Sequence, residues 1–179
     1  PARRALAAPR APATLPGAFL TLARGVGDRL DALAIRGDDL ASWVGFAEHR
    51  GVWSASTSNH ALHDGSGGAA IFLAHLARRT RDDRYAALAA MAANTVEFIS
   101  AMFLRRSSGL MNAGAFLGWG GVVYTLSTVG VLLGEQRYLD HVTQVIAHLP
   151  ACAAARPWSD VAHGAAGGVL GLLAAVRVL

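Results

Sequence analysis

Lysine is absent from this chain of 179 residues, and its sixteen basic residues are all arginine. The arginines are scattered except for one group at 78–84, where no aromatic residues interleave to stack on nucleic-acid bases. A basic stripe or a known motif is what marks a nucleic-acid-binding domain. The net charge of +4 therefore does not predict a nucleic-acid partner.

Cysteine occurs once, at Cys152. A single cysteine excludes a disulfide within the chain and a metal site built from several cysteines. No base is predicted beside Cys152, so the residue is expected to be a small apolar filler and not a nucleophile.

Charged residues are also scarce, at 16% against 53% hydrophobic residues, which excludes a disordered chain. The apolar run at 120–134, about fifteen residues without a charge, falls short of the roughly twenty residues that span a bilayer. Nothing near the first residue resembles the apolar core of a signal peptide. We therefore predict no membrane span and a cytoplasmic location.

One glycine pattern is present three times. It is Gly65-Ser-Gly-Gly, then Gly118-Trp-Gly-Gly, then Gly164-Ala-Ala-Gly-Gly. Adding 53 to the residue numbers of the first copy gives the second, and the same offset aligns an Arg-Tyr pair at 84–85 with one at 137–138. Adding 46 to the residue numbers of the second copy gives the third. A period near 50 residues indicates repeated supersecondary units.

Each repeat has the pattern of a helical hairpin. An inner helix, apolar almost all round, is predicted at 67–79 and again at 121–133, and a third begins at Gly164. An amphipathic outer helix follows the first two, capped in the first repeat by Asp82 or Asp83 and running over 137–149 in the second. The sequence therefore predicts an all-α fold, a partial α/α toroid of helical hairpins in which Gly-x-x-Gly motifs open the inner helices.

The segments that precede the first repeat are less regular. Residues 1–16, rich in Pro, Ala and Arg, are predicted to be a linker, and 17–179 the domain. Apolar spacing predicts a helix over 19–35 and a second, short helix over 38–49. At the other end the third inner helix stops at Leu179 without an outer partner, which indicates a fragment of a longer protein.

Three stretches are similar to lanthionine synthetase C-like (LanC-like) cyclases. The strings that begin at His63 and Thr80 resemble the opening repeat of that family, and Ser159-Asp-Val-Ala-His-Gly resembles its third repeat. The resemblance implies a toroid of seven hairpins, of which about three are here. It also implies an enzyme that adds Cys thiols to dehydrated Ser or Thr of a precursor peptide, forming thioether rings. Trp43-Val-Gly resembles the entry to the cyclase half of class II bifunctional synthetases, which implies a preceding dehydratase domain in the same polypeptide.

The family's zinc ligands lie in a Trp-Cys-x-Gly and a Cys-His-Gly string. Neither string is present, and Cys152 matches neither. The resemblance therefore implies zinc in the complete cyclase domain, with ligands outside this chain and no metal ligand within it.

The resemblance places the active-site aspartate at Asp160. Cyclisation needs a group that relays a proton to the enolate carbon, and a carboxylate or a histidine can do this. The alternative role for Asp160 is a helix cap or turn residue. His163, directly before Gly164, is the second catalytic candidate.

Substrate contacts are predicted for His63 and Asp64 of the first repeat and for Trp119 of the second. The alternative for Asp64 is a helix cap, and for Trp119 it is a place in the core. His75, on an apolar helix, is expected to be a satisfied core residue.

The repeated glycines have two explanations. Helix N-termini that point into one cavity stabilise an anion, and glycine lets that anion approach. Close packing of helices around a narrow axis needs glycine as well.

Two other functions stay open beside the cyclase. One is a LanC-like scaffold or peptide-binding module without zinc. The other is a different α/α toroid enzyme, a glycosidase or a terpenoid cyclase, for which the acidic pairs at 38–39 and 82–83 are slight.

Overall fold

The computed structural model describes residues 15–49, 51–105 and 111–179. The described part is mostly helical and confirms the predicted all-α fold. Its helices are α1 (Leu15–Leu33), α2 (Ser66–Thr80), α3 (Asp83–Arg105), α4 (Trp119–Leu133), α5 (Gln136–Ile146), α6 (Leu149–Ala155) and α7 (Ala165–Ala175). Its strands are β1 (Ile35–Arg36), β2 (Ala41–Ser42), β3 (Val44–His49) and β4 (Val52–Thr57).

The helices form two layers. The inner helices α2, α4 and α7 pack side by side, and the outer helices α3 and α5 lie against α2 and α4. Leu73 of α2, Val96 of α3 and Leu126 of α4 are fully buried in the core between these layers. This arrangement confirms the predicted partial α/α toroid.

Within the described residues, α3 is the one helix that is long and apolar enough to cross a membrane by length and composition. One face of α3, which includes Leu88, Ala92 and Val96, is buried in the protein core.

The predicted short helix over 38–49 is wrong. Two antiparallel hairpins, β1–β2 and β3–β4, occupy this region instead. The segment is rich in Val, Trp and Phe, which favour strands, and these alternate with small residues. Gly51, with a φ of 80°, provides the turn between β3 and β4, a conformation that other residues rarely adopt.

Other predicted boundaries hold with small changes. Asp82 caps α3 as expected, because its Oδ1 accepts a hydrogen bond of 3.0 Å from the Arg84 backbone N–H. The outer helix expected over 137–149 ends earlier, since α5 stops at Ile146, and the separate short helix α6 follows from Leu149. Pro150 sits at the start of α6 and has no N–H to donate to the preceding turn. The predicted linker lies outside the described residues, apart from its last two, which already belong to α1.

The repeated Arg-Tyr pair joins one outer helix to the next. The Tyr138 side chain of α5 is fully buried, and its hydroxyl lies 3.0 Å from the Ala90 carbonyl and 2.5 Å from Asn94 Oδ1, both on α3. Arg137 donates to the same hydroxyl at 2.8 Å. Burial raises the pKa of Tyr138 to about 12, so this group stays protonated.

The same contact recurs one repeat earlier. The Tyr85 hydroxyl of α3 donates to Asp28 Oδ1 at 2.7 Å and lies 3.4 Å from the Arg24 carbonyl, both on α1. Adding 66 to their residue numbers carries Arg24 and Asp28 onto the two residues of α3 whose oxygens contact the Tyr138 hydroxyl. Helix α1 therefore occupies the outer position before α3.

Replacing Tyr138 with Phe removes a buried hydroxyl and leaves its partners without their hydrogen bonds. We expect the free energy of unfolding to fall by about 1–3 kcal/mol, measured by urea denaturation. Tyr124→Phe is the matched control, since Tyr124 is partly exposed on α4 and should change stability by less than about 0.5 kcal/mol. Equal losses in the two variants would contradict the structural role of the Tyr138 hydroxyl.

Candidate functional site

Three similar loops, at 59–65, 112–118 and 158–164, lead into the inner helices, and we call them together the loop rim. In each loop the first carbonyl accepts a hydrogen bond from the first helical N–H. These bonds are Ser66 to Asn59 at 2.8 Å, Trp119 to Asn112 at 2.9 Å and Ala165 to Trp158 at 2.8 Å.

The loops of the rim are also bonded to one another. The Leu62 N–H of the first loop donates to the Phe116 carbonyl of the second at 2.9 Å. The Ala115 and Phe116 N–H groups of the second loop donate to Val161 and Ala162 of the third, at 2.9 Å and 3.3 Å. The rim is thus a continuous backbone layer across the three repeats.

The glycines of the motif make room for this layer. A Cβ on Gly121 would stand 2.3 Å from the Ala115 carbonyl oxygen, and one on Gly167 would stand 2.2 Å from Ala115 N and from Val161 O. Real Cβ contacts are not that short, so these positions need glycine for close packing. The N–H of Gly121 is already bonded to the loop, at 3.2 Å from the Gly114 carbonyl. Close packing, the second explanation above, is therefore the one that the contacts support.

Asp160 and His163 meet in the third loop. Asp160 Oδ1 accepts a 2.8 Å hydrogen bond from the His163 backbone N–H and lies 3.6 Å from its Nδ1. The backbone hydrogen bond from His163 is the main reason that the pKa of the Asp160 carboxyl lies below its usual range. The Trp158 ring stands edge-on to the imidazole, with centroids 5.9 Å apart.

Asp160 also shapes the loop that carries it. In the first two loops an asparagine side chain closes the opening turn, with Asn59 Oδ1 accepting from the Ala61 N–H and Asn112 Oδ1 from the Gly114 N–H. Asp160 accepts a backbone N–H in the third loop in a similar way. The N-cap of α7 is Gly164, so Asp160 is a turn residue and not the helix cap.

The first loop exposes His63 and Asp64. The His63 ring lies edge-on to the Phe116 ring of the second loop, with centroids 6.2 Å apart. The helix that follows is capped by Gly65 without a side-chain hydrogen bond, so the capping role considered for Asp64 is not observed. Both residues are therefore on the surface of the rim, where a substrate could reach them.

Trp119 lies in the core, the second of the alternatives considered for it. Its side chain is only 3% exposed and packs beside Cys152. Burial raises the pKa of the Cys152 thiol, and the neighbouring Trp119 side chain opposes that shift. This environment agrees with Cys152 as an apolar filler.

An apolar groove runs between the loop rim and the inner helices α4 and α7, and we call it the loop groove. Its volume is about 330 Å³. It is lined by Leu62, Ala115, Phe116, Tyr124, Val161, Leu170 and Gly171. Three of these side chains, Phe116, Val161 and Leu170, are between 40% and 49% exposed. The groove is therefore open to a ligand with an extended apolar side.

One histidine is placed differently from its prediction, and two buried histidines were not identified from the sequence. His75, expected in the core, is exposed on α2. His60, which had no periodic signal, is mostly buried with its ring edge-on to Phe103 at 5.8 Å, and burial lowers its pKa. His141 is buried on α5, and its Nε2 lies 2.7 Å from Ser100 Oγ. The spacing of Tyr138, His141 and Val145 on one face of α5 is the signal that could have identified His141 as a buried residue.

The described residues do not fit a zinc site. They include no group of three or more His, Cys, Asp or Glu side chains that could hold a metal ion. Asp160 and His163 supply two donors, and the Cys152 thiol is held protonated beside an indole.

The fold and the loop rim together define a protein built of helical hairpins in which a glycine motif begins each inner helix. A family model described as lanthionine synthetase C-like protein matches residues 56–179. The match covers more than half of the chain, and the chain belongs to this LanC-like family. No curated protein matches it.

Replacing Gly121 with Ala forces a methyl group into the Ala115 carbonyl of the rim. We expect a loss of about 1–3 kcal/mol or more in the free energy of unfolding, measured by urea denaturation. Gly45→Ala is the control, because a Cβ there meets nothing within 4 Å. A Gly121→Ala protein as stable as the Gly45→Ala protein would contradict the tight contact at the rim.

His141 should make stability sensitive to acid. Burial lowers its pKa from the ordinary 6.5, so the unfolded chain takes up a proton more readily than the folded one. Stability should therefore fall as the pH drops below about 6.5. We expect His141→Gln to reduce this fall between neutral pH and the acid side of 6.5, measured by urea midpoints, and exposed His148→Gln to leave it unchanged. An unaltered pH dependence in His141→Gln would be evidence against this role.

Proposed function

We propose that this chain is part of a lanthionine-forming cyclase that acts on a precursor peptide. The single observation that carries the proposal is membership of the LanC-like family over residues 56–179. Its support within the site is the Asp160–His163 pair, which stands on the same loop as Val161 of the loop groove. The family assignment favours this function over a glycosidase or a terpenoid cyclase.

The reaction is an addition in which all atoms are retained. The Cys thiol of the peptide loses its proton, and the thiolate electron pair forms a C–S bond to the β-carbon of dehydroalanine or dehydrobutyrine. The electrons of the C=C bond move to the α-carbon as an enolate, which then takes up a proton. One S–H and one C=C π bond are consumed, and one C–S and one C–H bond form without an oxidant.

In this reaction Asp160 and His163 would transfer the proton. The lowered pKa of Asp160 keeps it ionised at neutral pH, so the carboxylate is better suited to orient and balance His163 than to hold the proton itself. The exposed imidazole would accept the thiol proton and return it to the α-carbon. Asp160 would thus act beside His163, with its carboxylate 3.6 Å from the imidazole Nδ1, where it balances the positive charge of the protonated ring.

The loop groove would hold the peptide during ring formation. Its apolar wall, with half-exposed Phe116 and Val161, suits the apolar side chains and dehydrated residues of such a peptide. His63, against the Phe116 ring, and Asp64 offer polar contacts at the groove's edge.

The remaining features of the complete protein are also part of this proposal. They are a class II arrangement with a dehydratase domain before the cyclase, about seven hairpins of which 17–179 form the first three, and a cytoplasmic location. Zinc, typical of the family, would be held by residues outside this chain.

A second candidate is a LanC-like module that binds peptide without catalysis. Its support is that N–H groups at the start of the inner helices, such as those of Gly120 and Gly121, already donate to carbonyls of the loop rim. They are therefore not free to bind an anion. The exposed groove serves binding alone equally well.

The cyclase proposal is tested with the polypeptide that carries this chain and a dehydrated peptide containing one Cys. Ring closure is measured as the loss of free thiol, which is detected by alkylation and mass spectrometry. We expect Asp160→Asn to slow it about 100-fold or more, because the neutral amide no longer balances the charge that His163 takes up when it assists as acid and base. Asp140→Asn, on the exposed side of α5, is the control. A peptide that keeps its thiol with the unmodified protein would refute the cyclase.

Peptide binding, compared with thiol loss, separates the two candidates. The same peptide, fluorescently labelled, is titrated with the 179-residue chain and followed by anisotropy. We expect Phe116→Ala to weaken binding about tenfold, since it removes one exposed apolar contact. Phe98→Ala, at a similarly exposed phenylalanine of α3 outside the groove, should have no effect. Binding without thiol loss in the complete protein would favour the non-catalytic module.

A further inference from the structure

A cavity on the outer side of α3 and α5 lies apart from the loop rim, and we call it the outer pocket. Its volume is about 380 Å³, which is within the range of sites for small ligands. None of its residues belongs to the loop groove or to the loop that carries Asp160. The pocket is lined by Asp39, Leu40, Asn94, Glu97, Phe98, Ala101, Arg137 and His141.

His141 brings to this pocket a buried nitrogen that accepts a hydrogen bond. The residue is only 6% exposed, and burial lowers its pKa, so the ring is neutral at pH 7. The Ser100 hydroxyl donates to the Glu97 carbonyl at 2.9 Å, and its oxygen lies 2.7 Å from His141 Nε2. Because Ser100 has one proton to donate, the second contact requires that Nε2 carries a proton of its own. Nδ1 of His141 is therefore a lone-pair acceptor, and it has no hydrogen-bond partner among the described residues.

Two carboxylates line the outer pocket and share one cation. Arg137 donates to Glu97 Oε2 at 2.8 Å, and it is also bonded to Asn94 Oδ1. The Asp39 carboxylate has no ion pair in the part of the chain that the structure describes, and the Asp39 backbone carbonyl accepts a 2.7 Å hydrogen bond from Asn94 Nδ2. Burial raises the pKa of the Glu97 carboxyl, and the charge of Asp39 adds to this rise while Arg137 opposes it. One negative charge in the pocket is thus left unbalanced.

Phe98 gives the pocket an aromatic wall. Its side chain is 50% exposed, so the ring is open to a ligand. A cation is attracted to the face of an aromatic ring, and a guanidinium group is planar enough to stack on it. A guanidinium also has five N–H donors, which suits a pocket that offers acceptors. An ammonium group has three donors and does not stack, and a carboxylate or phosphate would be repelled.

We propose that the outer pocket binds a guanidinium group, supplied by the arginine side chain of a peptide or by a small guanidine. Its N–H groups would donate to the Asp39 carboxylate and to His141 Nδ1, and its flat face would lie on the Phe98 ring. Arg137 keeps its bond to Glu97 and does not need to move. The inference rests on the outer layer of the fold and is independent of the proposed cyclase activity. Phe98→Ala remains a control for the loop groove when the labelled peptide lacks arginine.

The test is an NMR titration of the isotope-labelled 179-residue chain, in which shifts of backbone amides near Phe98 and His141 locate the binding. Propylguanidine represents a small guanidine, and Nα-acetylarginine N-methylamide represents an arginine in a peptide. Equal affinities would identify the guanidinium as sufficient, and tighter binding of the amide would identify a peptide as the source. The matching citrulline amide has the same shape without the charge, and we expect it to bind at least about tenfold more weakly.

Variants of the pocket test the contacts one by one. Asp39→Asn should weaken binding of the arginine amide about tenfold, because it removes the carboxylate that no cation balances. Asp38→Asn, at the exposed neighbour outside the pocket, is the matched control and should bind as the unmodified chain does. Phe98→Leu keeps an apolar contact and removes the aromatic face, and should weaken binding about threefold. Urea midpoints establish that each variant is folded.

Three results would overturn the proposal. They are the absence of shift changes near Phe98 and His141 with both guanidines, a citrulline amide that binds as tightly as the arginine amide, and an Asp39→Asn protein that binds as well as the Asp38→Asn protein. None of these results bears on the loss of peptide thiol that tests the cyclase.

Discussion

Backbone hydrogen bonds between successive loops hold the three repeats in register. They connect Leu62 to Phe116 and Phe116 to Ala162, so each loop bonds to its neighbour through groups present in any residue other than proline. The side chains of the bonded residues are therefore free to vary. At one equivalent position, for example, the three loops have His63, Phe116 and Ala162. What the layer cannot tolerate is a Cβ beneath it, which accounts for the glycines at 121 and 167.

A second connection operates in the outer layer and is made by side chains. The buried hydroxyls of Tyr85 and Tyr138 each contact a carbonyl and a carboxylate or amide on the previous outer helix. The loop bonds fix the inner helices and the tyrosines fix the outer ones, so neighbouring hairpins are joined at two places. The candidate site depends on both, because Asp160 and His163 stand on the third loop, whose position follows from the first two.

Repetition made most of this fold predictable. The glycine register located the inner helices, and the proximity of Asp160 and His163 follows from a spacing of three residues. The hairpins β1–β2 and β3–β4 lie outside the repeat, where short alternating runs were the only signal. The positions of Trp119 and His75 were harder to predict, because a helix that is apolar almost all round has no polar face to distinguish inside from outside. The equivalence of α1 with α3 was also hidden, since it depends on a carbonyl and a carboxylate and not on apolar spacing.

A structure built from neighbour-to-neighbour contacts loses order from its ends. Within the described residues α7 packs mainly on α4, and the loop with Asp160 and His163 leads directly into α7. Fraying of one helix would therefore disperse the pair while α2, α3 and α4 remain intact. The order of the site therefore depends on how firmly α7 is packed, and a hairpin that docks on α7 would strengthen it.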